Sequence, residues 1–169
     1  VAFQEPPYTT SIDLVNHIKE VTPDSLNYLI KDMFETITLY QNRVVETKSE
    51  KLDNGKYKVD IEFKVSKYRN NEKGRAFYGE EERDSITYQS DDMKKPEYSV
   101  FLKDYIDIGI FGEDNDEKEI ELYLKKLKIS SIHNKISIIV DQEPIEVGID
   151  PYNKLIDTNS EDNRMKIEK

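Results

Sequence analysis

The stretch Tyr57-Lys-Val-Asp-Ile-Glu-Phe-Lys-Val-Ser66 alternates apolar and polar residues without a break. Successive strand side chains point to opposite sides, so Tyr57, Val59, Ile61, Phe63 and Val65 share one face. Lys58, Asp60, Glu62, Lys64 and Ser66 share the other. One buried and one wet face marks an antiparallel sheet, because parallel strands are covered on both faces and read as continuous apolar runs. Just before it stands Leu52-Asp-Asn-Gly-Lys56, and Asn-Gly accepts the positive φ angles that a tight reversal demands. The preceding segment, with Ile37, Leu39 and then Val44 or Val45 at a period of two, is therefore the hairpin partner.

The same alternation recurs downstream. Tyr105-Ile-Asp-Ile-Gly-Ile-Phe111 alternates, and Gly112-Glu-Asp-Asn-Asp-Glu117 makes a polar turn. Ile120, Leu122 and Leu124 begin a strand that has to reset its phase, as through a bulge, before Leu127 and Ile129. Ile136, Ile138 and Val140 follow the turn Ile132-His-Asn-Lys135, and Ile145, Val147 and Ile149 form a last strand after Glu143-Pro144. Arg75 to Tyr78 and Ser85 to Gln89 read as short edge strands among polar loops. Six clear strands with short turns predict a mainly β fold, an antiparallel Ig/fibronectin III-like β-sandwich over residues 37–150.

Two helical patterns precede it in residues 1–36. Ile12, Leu14, Val15, Ile18 and Val21 lie at helical spacing, with Thr10 or Ser11 as N-cap and Asp13 in the first turn. Thr22 and Pro23 then open a helix with the stripe Leu26, Leu29, Ile30, Met33, Phe34 and Ile37, which is expected to bury Met33 and Phe34. At the other end, residues 151–169 form a tail. Tyr152, Leu155 and Ile156 offer apolar surface for a docked turn after Asp150-Pro151, and fraying is expected from about Asn159 onward.

Composition narrows the function. The net charge of −10 argues against nucleic acid, whose phosphates are bound by displacing counterions with Lys and Arg. It also argues against docking on anionic lipid. No apolar run approaches the ~20 residues needed to cross a bilayer, so no direct membrane insertion is expected. Cysteine is absent, which removes disulfides and thiolate metal sites. Eleven tyrosines suit half-exposed strand positions, where the ring packs and the hydroxyl stays wet.

Catalytic constellations are missing from the residues. A zinc hydrolase of the gluzincin type needs His-Glu-x-x-His and a further Glu. This chain has only His17 and His133, both expected to be solvated. It has no Gly-x-Ser-x-Gly and no phosphate loop. The strongest cation candidate is Asp157-Thr-Asn159-Ser-Glu161-Asp-Asn163 with Glu168, whose oxygens fall at EF-hand positions but without the Gly that such a loop requires. A solvated tail is the expectation there, so no catalytic, cofactor-binding or metal residue is assigned.

The tail Val147-Gly-Ile-Asp-Pro-Tyr-Asn-Lys-Leu-Ile-Asp157, followed by Thr-Asn-Ser-Glu-Asp-Asn163, resembles one group of proteins. Phe3-Gln-Glu-Pro-Pro-Tyr8, Thr22-Pro-Asp-Ser-Leu26 and Phe34-Glu-Thr-Ile-Thr-Leu-Tyr40 share the resemblance. These are bacterial membrane proteins that fuse an ABC-transporter-type permease to an aminopeptidase N-like (gluzincin) metallopeptidase. The likeness covers roughly residues 1–50 and 102–163 and implies a position at the C-terminus of the parent. It implies a zinc site only in the upstream peptidase domain and none in this fragment. It also implies the extracytoplasmic (periplasmic) face of the bacterial inner membrane. The expected partners are the upstream peptidase and permease regions of the same chain, or a partner protein. The chain then reads as a piece excised from a longer protein, a non-catalytic domain that braces the peptidase region. An independent Ig-like cell-surface adhesion or carbohydrate-binding module is the alternative.

Overall fold

A computed structural model describes residues 7–70, 76–77 and 102–168. Helix α1 (Ser11–Val21) is followed by a 3₁₀ turn (Asp24–Leu26), a single α-helical turn α2 (Asn27–Ile30) and a π turn (Lys31–Glu35). Strands β1 (Ile37–Lys51), β2 (Tyr57–Asn70), β3 (Ala76–Phe77), β4 (Asp104–Glu113) and β5 (Glu119–Ile129) come next. They are followed by β6 (His133–Val140), β7 (Glu146–Ile149) and β8 (Arg164–Lys166). The expected strand at Ser85 to Gln89 lies outside the described residues.

The strands form two antiparallel sheets. One has β2 at its centre, with β1 on one side and β6 and the short β3 on the other. The second runs β5-β4-β7-β8. Their inner faces meet in one core, with Val59, Ile61, Phe63 and Val65 of β2 opposite Ile106, Ile108 and Ile110 of β4 and Val147 and Ile149 of β7. This is the β-sandwich that the alternation predicts. In the constant-type immunoglobulin order the fourth strand (D) leaves the third (C) and joins the opposite sheet, at its edge; here β5 turns back onto β4 and stays in its sheet.

Four local expectations are corrected. The inner row of β1 is Thr38, Tyr40, Asn42 and Val44, whereas Ile37 and Leu39 are on the opposite parity and Ile37 is exposed. In the hairpin at Asp53-Asn54-Gly55 only Gly55 takes a positive φ (83°), and its N–H donates to Leu52 O at 2.9 Å. The bulge in β5 falls at Leu122, between the pairs Ile110–Tyr123 and Phe111–Glu121, ahead of the expected place. Residues 160–166 do not fray. They form a 3₁₀ turn (Ser160–Asp162) and β8, which pairs with β7.

The tail docks through polar contacts more than through the apolar trio. Asp150, at φ 45°, has its N–H bonded to Asp107 O at 2.7 Å. Its carboxylate accepts the N–H groups of Lys154 (3.0 Å) and Leu155 (2.8 Å). Pro151 then lies over Gly109 and Gly148, where an added Cβ would come within 3.1 Å and 2.9 Å of its ring carbons. Leu155 packs against the core, but Tyr152 and Ile156 remain exposed. The chain next runs along the free side of β1: Tyr40 N–H donates to Ile156 O at 2.8 Å and Thr158 N–H to Tyr40 O at 3.0 Å.

Candidate functional site

The apolar inner row of β2 ends at Val65, but the same parity continues through Lys67 and Arg69. In the β1–β2 register Tyr40 faces Lys67 and Thr38 faces Arg69. Asp104 opens β4 on the parity of Ile106 and Ile108. All three strands thus turn polar at one end of the sandwich, the end covered by the helical segment. Lys67 is 1% exposed there, and a buried ammonium is tolerated only with anions around it.

Two carboxylates meet it. Asp32 Oδ2 lies 2.6 Å from Lys67 Nζ, and both oxygens of Asp104 lie at 3.0 Å. Arg69 grips Asp32 Oδ1 through Nη2 (2.6 Å) and Nε (3.1 Å), the forked geometry that suits guanidinium. The Tyr40 hydroxyl donates to Asp104 Oδ1 at 3.2 Å. Burial, with the two carboxylates adding to it, pushes the Tyr40 phenol far up, so it stays a donor. The rings of Tyr28 and Tyr40 sit 5.3 Å and 5.8 Å from Nζ, and the Tyr28 hydroxyl donates to Lys103 O at 2.7 Å.

This network explains why the second helix departs from expectation. Thr22 closes α1 as its C-cap, so it starts nothing. The apolar stripe holds as far as Ile30, which is buried. The π turn then rotates the chain and carries Asp32 inward to Lys67 and Arg69. Met33 (71% exposed) and Phe34 (45%) face outward, contrary to the expectation that they are buried. Helix α1 has no buried residue at all, and Ile12 (69%), Leu14 (54%) and Val21 (83%) are open. Of the twelve exposed large hydrophobic side chains among the described residues, seven fall between Tyr8 and Ile37.

The cation candidate resolves into a cap. Asp157 Oδ2 accepts the Asn42 N–H and Oδ1 the Asn159 N–H, each at 2.9 Å, so both oxygens serve the backbone. Burial pushes the Asp157 carboxyl up; the two N–H groups oppose that shift and Asp162 reinforces it. Among the described residues no group of three or more His, Cys, Asp or Glu is arranged to hold a metal ion. His17 lies on the open side of α1, beside Glu20, and His133 begins β6 at the surface. On the outer face of β1, β2 and β6 a groove of about 360 Å³ is lined by Glu46, Lys48, Asp60, Glu62, Lys135 and Ser137.

The chain matches no family model, no curated protein and no solved structure. No helix among the described residues is long and apolar enough to cross a membrane.

Proposed function

We propose that this chain is a non-catalytic β-sandwich domain that docks through its helical segment on the peptidase region of a larger aminopeptidase-like, permease-fused protein. The observation that carries the reading is the two-sided character of residues 8–37. From beneath, Asp32 and Tyr28 tie the segment to β2 and to the start of β4. Above that anchor Ile12, Leu14, Val21, Met33 and Phe34 are all left exposed. A segment held rigidly from below and apolar above is preorganised to bind, because little ordering entropy is lost on contact. The resemblance in the tail and in the helical segment supplies the partner, and with it the periplasmic face of the inner membrane. The sugar-binding alternative gains nothing from the groove on β1, β2 and β6, whose lining mixes charged side chains with Ile61 and Ile136 and lacks the aromatic platform that sugars stack on.

The test uses the reading frame that encodes the chain. A His-Glu-x-x-His motif behind hydrophobic spans is expected upstream, and its absence removes the reading. The upstream peptidase region, expressed separately, is expected to form a 1:1 complex with this chain in size-exclusion chromatography. The double variant Ile12→Glu with Met33→Glu should abolish the complex while leaving the melting temperature of the chain within about 3 °C, since both side chains are exposed. A complex that survives both substitutions would place the contact elsewhere.

A further inference from the structure

Lys67 is the one side chain that touches every part of the polar end. It sits in β2, pairs with Asp32 from the π turn and Asp104 from β4, and lies beside rings from α2 and β1. Its two carboxylate partners are not equivalent. Asp32 is held by Arg69, a permanent cation, and turns only Oδ2 toward the lysine. Asp104 has no guanidinium partner among the described contacts. Its two oxygens are equidistant from Nζ at 3.0 Å, which centres the nitrogen on the carboxyl group. The Tyr40 hydroxyl donates to Oδ1 at 3.2 Å and the Lys103 N–H to Oδ2 at 3.4 Å.

We propose that Lys67 and Asp104 condense to an intramolecular isopeptide bond joining β2 to β4, with Asp32 as the proton carrier. A proton first passes from the Lys67 ammonium to Asp104, leaving an amine beside a neutral acid. The Nζ lone pair attacks Asp104 Cγ, and the carbonyl electron pair moves onto oxygen, where the Tyr40 hydroxyl stabilises it as an oxyanion-hole donor does. Asp32 Oδ2, 2.6 Å from Nζ, takes a proton from the nitrogen and passes it to the departing hydroxyl. The oxyanion collapses, the Cγ–O bond breaks, and one water leaves. One amide forms from one amine and one acid, with no oxidant and no cofactor. Holding the reactants in one dry, fixed site supplies the effective concentration that free amines and acids lack in water. The bond ties the two sheets together under the helical segment.

Lys67, Arg69, Asp32 and Asp104 also sum to zero formal charge, so an unreacted ion network is the competing description. The two differ in mass by one water. Intact mass spectrometry of the denatured chain is expected to read one water below the sequence mass, and peptide mapping to find a branched peptide linking Lys67 to Asp104. Lys67→Arg and Asp104→Ala should each read their own full sequence mass. Tyr40→Phe and Asp32→Asn should leave a mixture in which the unlinked form dominates. An unmodified chain that keeps its full sequence mass after folding and long incubation overturns the proposal, whatever the variants do. So does a loss of one water that maps to other residues or persists in Lys67→Arg.

Discussion

Replacing Asp32 by Ala tests the polar end most directly. The carboxylate is buried; its Oδ2 is ion-paired with Lys67 Nζ at 2.6 Å and its Oδ1 accepts from Arg69 at 2.6 Å and 3.1 Å. Its removal leaves the Arg69 guanidinium, mostly buried, with no carboxylate among the described contacts. Breaking a buried pair by deleting one partner costs about 3–5 kcal/mol, most of it the desolvation of the charge left behind. A loss of about 3–5 kcal/mol is a large share of the roughly 5–15 kcal/mol that holds a domain together. Urea titrations of the parent and variant chains, with an unchanged m-value, give the difference. Hydrogen exchange adds the location: protection should fall first in residues 24–36, which the carboxylate anchors. The double-mutant cycle with Arg69→Ala should return a coupling energy of at least about 1 kcal/mol, since the two groups touch. A loss under about 1 kcal/mol, or additivity in the cycle, would show the network to be solvated and would refute the reasoning.

Three further outcomes are expected. Gly55→Val should destabilise by about 1–2 kcal/mol, because φ 83° is strained for a β-branched residue; an unchanged melting temperature would contradict the turn geometry. Deleting residues 164–169 strips β7 of its neighbour and removes Met165 and Ile167 from the core margin, and should lower the melting temperature by on the order of 5–10 °C. A silent truncation would mean β8 adds nothing to the sheet. Burial raises the Asp157 carboxyl in the folded state, so the fold holds a proton that the unfolded chain has released. Stability from this group therefore falls as pH rises from about 3.9 to the raised value. Asp157→Asn should flatten the fall of the urea midpoint as pH rises above about 3.9, and an identical slope in the variant would refute the assignment.

The hairpin and the inner face of β2 were readable because the buried row there is apolar, so hydrophobic alternation and burial coincide. They part company in β1. Ile37 and Leu39 suggest one parity, yet Thr38, Tyr40 and Asn42 are the buried residues, and alternation cannot reveal an inner row that is itself polar. The β5 bulge was legible as a phase break but not in position, because Ile120, Leu122 and Leu124 keep the apolar count regular through Leu122, where the register shifts. The tail was legible as docked and misjudged in means. Its apolar trio attracted attention, while the closure depends on the Asp150 carboxylate, on two glycines that leave room for Pro151, and on backbone bonds to Tyr40. None of these has an apolar period.

The polar end did leave a trace. Two further steps along the β2 alternation, past Val65, put Lys67 and Arg69 on the core-facing parity. A cation placed there has to be neutralised, since an uncompensated buried charge would exceed the stability of the domain. The search for its counter-charge is short. One step back from Ile106 on the β4 parity stands Asp104, and beside the outward-turning Met33 and Phe34 stands Asp32. With Asp32 turned inward, Met33 and Phe34, one and two residues on, point away from it and outward. The buried ion network and the exposed apolar face of the helical segment are therefore one choice. Charge demanded below moves hydrophobic side chains above, and a segment anchored in this way holds those exposed side chains on a fixed base.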